Sequence, residues 1–300
     1  MKKKTYLFAL MAMALTLGSC SDNENGIGGE TSKYITVSTS IGNMTRVATD
    51  AKGGQTFEEG DEISVYAWTG APTVAPETSE RVVNNAINKL TNGSWVSTPQ
   101  MLWKNNREKH YFIGVYPTAA ISDLSAGEYT FDANKQTESD LLVAVNPDGL
   151  SYSADAQQIV PLTFTHVMSK LAVNLTYKNQ WGGIPTVEKV VVGNAAKEAT
   201  INYLTKVVTP STTAKEDFSL PEITENTKYV SVIIPQEEVT QLTIVIGGKN
   251  FVYDNGTPFK LESGKITTVN LEVGRDEIKL GDVKITNWED GSTFSGEALN

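Results

Sequence analysis

The chain has 300 residues, with 25 Lys and Arg against 35 Asp and Glu, a net charge of −10 and a single cysteine. That balance excludes a phosphate-neutralising surface for nucleic acid and attraction to anionic lipid headgroups. One cysteine excludes an intrachain disulfide, so stability must come from core burial.

The chain opens with Lys2, Lys3 and Lys4, a basic n-region, followed by an apolar h-region from Tyr6 to Leu17. That run is too short for a membrane span, which needs roughly 20 residues. Leu17-Gly18-Ser19-Cys20 has the shape of a lipobox. Residues 1–19 therefore read as the signal peptide of a bacterial lipoprotein, and Cys20 as its acylation site. Removing three lysines takes the net charge from −10 to −13, so membrane attachment is expected through acyl chains, not a basic patch. Residues 20–32 are polar, acidic and Gly-rich, and read as a flexible tether.

Short β-type runs follow. Tyr34-Ile35-Thr36-Val37-Ser38 alternates, and Ile63 to Trp68 is β-branched and aromatic. The Asn92-Gly93 pair between apolar arms predicts a hairpin over 89–96. Further strands are expected at 110–116, 141–145, 171–177, 187–192, 229–234, 242–246, 251–253, 266–273 and 278–288. The best helix candidate is Ser79 to Leu90, where Val82, Val83, Ala86, Ile87 and Leu90 could share a face. Strands of this length with turn signals between them argue for an all-β chain of antiparallel sandwiches. Pro161 to His166 reads as the last strand of one domain and Leu171 as the opening of the next, giving domains over 33–166 and 167–300.

No catalytic constellation is present: no nucleophile elbow, phosphate-cradling loop or metalloprotease helix. His110 and His166 each lie in or beside an apolar run and read as structural. Glu58-Glu59-Gly60-Asp61-Glu62 lacks the alternating ligand spacing of a Ca²⁺ loop and reads as a turn. No enzyme activity, cofactor or metal is expected. Trp68, Trp95, Trp103, Trp181 and Trp288, with Tyr66, Tyr111 and Tyr116, could build a sugar-stacking platform, but their dispersal favours core roles. Arg46 lies in a polar, small-residue stretch between the first two strands, which makes the Arg46–Val47 bond a candidate trypsin-like cleavage site.

Several motifs follow one another along the chain: the lipobox at Cys20, the Thr45-Arg46 pair, Phe57 to Tyr66, Trp103 with Tyr111 to Pro117, Leu162-Thr163-Phe164-Thr165-His166-Val167-Met168-Ser169-Lys170-Leu171, Ile233 to Gln236, Gly264 to Thr267 and Ile285 to Trp288. Their order resembles the Bacteroidales fimbrillins, the Mfa-like type V pilins and accessory pilins, and the segment from Leu162 to Leu171 is the most specific match.

The resemblance implies two tandem transthyretin-like β-sandwich domains and assembly by strand exchange. A lipidated precursor reaches the outer membrane, and cleavage after Arg46 releases a first strand carrying Tyr34, Ile35, Val37 and Ile41. A strand from another subunit then fills the groove. The candidate donor is the C-terminal segment with Ile278, Leu280, Val283, Ile285 and Trp288. The partners implied are other pilin subunits and an adhesion ligand, and the place is a fimbria on the outer surface. The polar tail from Glu289 to Asn300 sets any donor back from the terminus and leaves stalk and tip roles both open. The runner-up is a glycan-binding surface lipoprotein that stays anchored.

Overall fold

A computed structural model of the chain describes residues 33–42, 56–239, 241–254 and 258–288. Cys20, Arg46 and Val47 lie outside the described residues, as do the expected signal, the tether up to residue 32 and the tail from 289.

Up to residue 166 the chain runs through β1 (Thr36–Ile41), β2 (Glu62–Thr69), β3 (Val83–Thr91), β4 (Ser94–Thr98), β5 (His110–Tyr116), β6 (Gly127–Thr130), β7 (Leu142–Leu150) and β8 (Ile159–His166). It continues through β9 (Ser169–Tyr177), β10 (Val187–Ala196), β11 (Glu198–Asn202), β12 (Val207–Pro210), β13 (Lys215–Leu220), β14 (Glu222–Thr224) and β15 (Lys228–Ile233). The last strands are β16 (Gln236–Val239), β17 (Leu242–Ile246), β18 (Lys249–Tyr253), β19 (Phe259–Leu261), β20 (Lys265–Val273) and β21 (Ile278–Asn287). The fold is all-β, as the periodicity predicts.

Seven strands of the first part form one sheet in the order β1-β8-β7-β5-β2-β3-β4. Its central strands are apolar without alternation because both faces are covered. Ile63, Val65, Ala67, Phe112, Leu142, Ala144, Leu162 and Phe164 point into one core, which Ile35 and Val37 also enter. Tyr66, Trp68, Ile113, Val115 and Val143 point into another, which they share with the C-terminal half. Gly114 admits the Phe164 ring; a Cβ there would sit 2.6 Å from Cζ of Phe164.

The helix expected over 79–90 is a strand. Asn85 has φ +55°, and the register against β2 shifts between Val83–Ala67 and Ala86–Val65. This bulge adds one residue to β3. Val83, Ala86 and Asn88 therefore face inward, and the 3–4 spacing that imitates a helix is a strand alternation interrupted once. The hairpin forms as predicted. Asn92 and Gly93 have φ of 51° and 72°, the positive values a two-residue turn needs, and Thr91 pairs with Ser94.

The C-terminal half contains a five-stranded sheet, β14-β15-β9-β20-β21, and a four-stranded sheet, β13-β10-β17-β18. Leu171, Val173, Val232 and Val269 from the first and Val190, Val192, Ile244 and Phe251 from the second share one core, a β-sandwich. The connection from β8 to β9 is only Val167 and Met168, both buried. β6, from before that connection, pairs with β11, from after it, between Gly127–Ile201 and Thr130–Glu198. Two ladders depart from the antiparallel expectation: β1 runs parallel to β8, and β9 runs parallel to β20.

Candidate functional site

β1 closes a seam. Its six residues pair in parallel with β8, from Thr36–Ile159 to Ile41–Phe164, and the Gly42 N–H donates to the Phe164 carbonyl at 2.7 Å. Its other side reaches the segment after β4. The Ile35 N–H donates to the Met101 carbonyl at 2.9 Å, and the Trp103 N–H to the Lys33 carbonyl at 3.2 Å. Tyr34 bridges Leu102, and the Trp95 indole donates to the Thr39 hydroxyl at 3.0 Å. The seven-stranded sheet thus curls until its two ends meet on the first strand.

The four residues expected on this strand divide by face. Ile35 and Val37 are buried, Val37 at 7% exposure, whereas Tyr34 is exposed and Ile41 is half-buried. Beyond residue 36 the seam opens into a cleft of about 860 Å³, lined by β1, Phe57, Leu90, Trp95 and Ile159. Phe57 makes edge contacts with Trp95, Tyr116 and Phe164 at 5.1–5.3 Å. Burying an Ile and a Val contributes about 1.5–3 kcal/mol each. Stripping β1 would therefore withdraw on the order of 3–6 kcal/mol from a fold whose net stability is about 5–15 kcal/mol, besides opening a sheet edge.

β21, the expected donor, is the outer strand of its sheet and pairs antiparallel with β20 from Val273–Ile278 to Lys265–Asn287. Ile278 and Leu280 are half-buried, while Val283 and Ile285 remain 37% and 39% exposed. A bulge between Leu280 and Val283 keeps these four apolar residues on one face. Trp288, by contrast, is buried.

Trp288 lies in a cluster that joins the motif at 162–171 to the one at 285–288. Its ring stacks on His166 with centroids 4.1 Å apart and planes 7° from parallel. The Lys170 ammonium sits 4.3 Å from the indole centroid. His166 Nδ1 lies 2.7 Å from Asp140 Oδ1; a carboxylate only accepts, so Nδ1 donates. Burial pushes the Lys170 ammonium pKa down, opposed by the charge of Asp140. Asp140 and Lys170 were not singled out from sequence as site residues. The signal was present in the motifs around His166 and Trp288, but nothing local shows that they meet.

The remaining candidates are structural. His110 is fully buried, accepts the Lys104 N–H on Nε2 at 3.0 Å and meets Trp103 edge-on at 5.0 Å. The acidic run at 58–62 is a turn: Asp61 accepts the Glu58 N–H at 2.7 Å, Glu59 accepts that of Asn92 at 2.7 Å and Glu62 pairs with Lys89. Among the described residues no group of three or more His, Cys, Asp or Glu could hold a metal ion. Tyr66, Trp68, Trp103 and Trp288 are buried in two separate cores, so they build no common platform.

A family model described as fimbrillin-like matches residues 45–288. A putative cell adhesion protein from Bacteroides uniformis has a similar fold, with a TM-score of 0.64 at 18% identity over 86% of this chain and 100% of its own. A putative cell adhesion protein from Bacteroides ovatus gives 0.64 at 18% over 85% and 98%. A fimbrial protein from Bacteroides vulgatus gives 0.52 at 12% over 86% and 100%. No curated protein matches the sequence.

Proposed function

The chain belongs to the fimbrillin-like family, and from that premise we propose that it is a non-catalytic structural subunit of a cell-surface fimbria. It is exported as a lipoprotein acylated at Cys20 and held at the outer membrane. It matures by trypsin-like cleavage between Arg46 and Val47, and it joins other pilin subunits by strand exchange. In this reading the chain comprises two transthyretin-like sandwich domains, 33–166 and 167–300.

The observation that carries the proposal is the position of β1. It is the first described strand, it lies between β8 and residues 101–103, and it supplies Ile35 and Val37 to a core otherwise built from residues after the cleavage site. Cutting at Arg46 severs this strand from everything it packs against and separates the subunit from the lipid. The vacated edge and apolar slots then favour an incoming strand. Head-to-tail donation is a heterologous contact, so it propagates as a filament. β21 is the candidate donor, because its apolar face is only half-covered at home. A subunit that keeps β21 at home would occupy the tip, and one that gives it away would lie in the stalk.

The test uses the chain from Ser21 onward. Trypsin is expected to cut first after Arg46, and the product to form oligomers that a synthetic β1 peptide suppresses. A cut chain that stays monomeric, with Arg46→Ala leaving surface fibres unchanged, would sink the polymerising reading.

A further inference from the structure

The contacts of Trp288 point to a use beyond core packing. β21 holds its sheet by one ladder, by polar side-chain bonds from Asn270 to Asp282 and from Lys265 to Asn287, and by apolar side chains that are only partly covered. Its C-terminal end is different. The Trp288 N–H donates to the Gly264 carbonyl at 3.2 Å, its ring stacks on His166 and Lys170 lies over the same indole. Trp288 is 7% exposed, yet its indole N–H finds no acceptor among the described residues. A buried donor left unpaired weakens the dock, which is what a releasable contact needs.

The corner it occupies is shared. The Gly264 N–H donates to the Met168 carbonyl at 2.8 Å and the Ser263 hydroxyl to that of Val167 at 2.8 Å, tying this turn to the β8–β9 connection. His166 is the last residue of β8 and pairs with Leu142. Two residues earlier, Phe164 pairs with Ile41 of β1. One strand therefore carries the ladder to β1 and the ring that holds β21.

We propose that Trp288, His166, Asp140 and Lys170 form a clasp that retains β21 in its own sheet, and that loosening β1 loosens the clasp through β8. The clasp rests on the geometry of the single chain. Its use, to keep the donor strand at home until the first strand has left, rests on the strand-exchange reading.

Hydrogen exchange on the monomeric chain from Ser21 onward tests both halves. Trp288→Ala should speed exchange across β21 by about tenfold, the size expected for losing an aromatic stack and a cation contact, while β5 and β9 keep their protection. Trp288→Phe, which keeps an aromatic face, should restore much of it. Val37→Asp, which displaces β1 without any cut, should also speed exchange in β21. Unchanged β21 exchange in Trp288→Ala overturns the clasp, and so does a uniform loss of protection throughout the chain. Fast β1 exchange with unchanged β21 in Val37→Asp overturns the coupling. Fibre formation is not read here, so a failure of strand exchange and a failure of the clasp give different results.

Discussion

The rings of His166 and Trp288 lie 4.1 Å apart and 7° from parallel, joining the end of β8 to the end of β21. His166 also holds Asp140 at 2.7 Å, so one imidazole serves a stack and a charge-assisted hydrogen bond. This gives a physical reason for a His at that position and an aromatic residue just beyond β21. His166→Ala should destabilise the chain by about 2–3 kcal/mol, because it removes the stack and leaves the part-buried Asp140 without its donor. His166→Asn should recover part of the loss by keeping a donor but not the ring. Thermal denaturation of the three proteins checks this, with a Tm drop of roughly 2–4 °C for each kcal/mol. An unchanged Tm in His166→Ala would refute it.

His110 should make stability depend on pH. Burial holds its pKa below the ordinary histidine value, with Glu108 opposing and Lys104 adding to the shift. The unfolded ring takes a proton near pH 6.5, whereas the folded ring stays neutral until lower pH. The unfolded state then binds more protons, so stability is lost as pH falls below about 6.5 and until the folded pKa is passed. Urea midpoints from about pH 7.5 down to about pH 5 should show this decline. His110→Gln, which can still accept the Lys104 N–H, should flatten it. Parallel slopes for the two proteins would exclude His110 as the cause.

Arg81 should be worth more than its charge. It is buried and donates to the carbonyls of Ile121 at 2.6 Å and Ser122 at 2.5 Å, and to the Asn84 side chain at 2.9 Å. Tyr66 grips the same loop, donating to the Ala119 carbonyl and accepting the Ile121 N–H at 2.9 Å. This loop leads into β6, the strand that pairs with β11. Arg81→Met fills the space but strands the Ile121 carbonyl and leaves that of Ser122 only the Thr78 hydroxyl at 3.3 Å, which should cost about 1–3 kcal/mol. Arg81→Lys keeps the charge without the planar fork and should restore less than half. Chemical denaturation decides it, and equal stability in Met and wild type would defeat the argument.

Much of the strand inventory is legible in the sequence because period-two patterning and turn residues are local signals. The Asn92-Gly93 turn and the runs at β5, β9, β17 and β20 are of this kind. β3 misleads because the bulge at Asn85 converts alternation into helix-like spacing. Strand direction is another matter. Apolar alternation is the same in a parallel or an antiparallel ladder, so the pairing of β1 with β8 and of β9 with β20 leaves no mark on composition. The corner at Trp288 is less visible still. Asp140, His166, Lys170 and Trp288 are separated by up to 148 positions in the numbering, and only the folded chain brings them together. Arg81 falls within the span that reads as a helix, and nothing local shows that its two terminal guanidinium nitrogens donate to the Ile121 and Ser122 carbonyls and to the Asn84 side chain.

Gln136 caps a sheet edge. β15 pairs with β9 along its whole length, but β14 covers its other side only near Tyr229 and Lys228. Beyond them the Val232 N–H donates to the Gln136 side-chain oxygen at 2.6 Å, and the Gln136 amide donates to the Ser231 hydroxyl at 3.1 Å. A side-chain amide from before β8 thus substitutes for a neighbouring strand. Edges left open invite pairing with another chain. Gln136→Ala should cost about 1–2 kcal/mol, the value of a buried donor left unpaired, and should also raise self-association. Gln136→Glu tests whether the oxygen or the whole amide matters, since it still accepts from Val232 but cannot donate to Ser231. Sedimentation of the chain with Arg46 replaced by Ala separates this edge effect from any assembly that follows cleavage. Concentration-dependent dimers in Gln136→Ala, absent from the parent, are the expected result. A monomeric variant of unchanged stability would show that the loop carrying Gln136 covers the edge without needing its side chain.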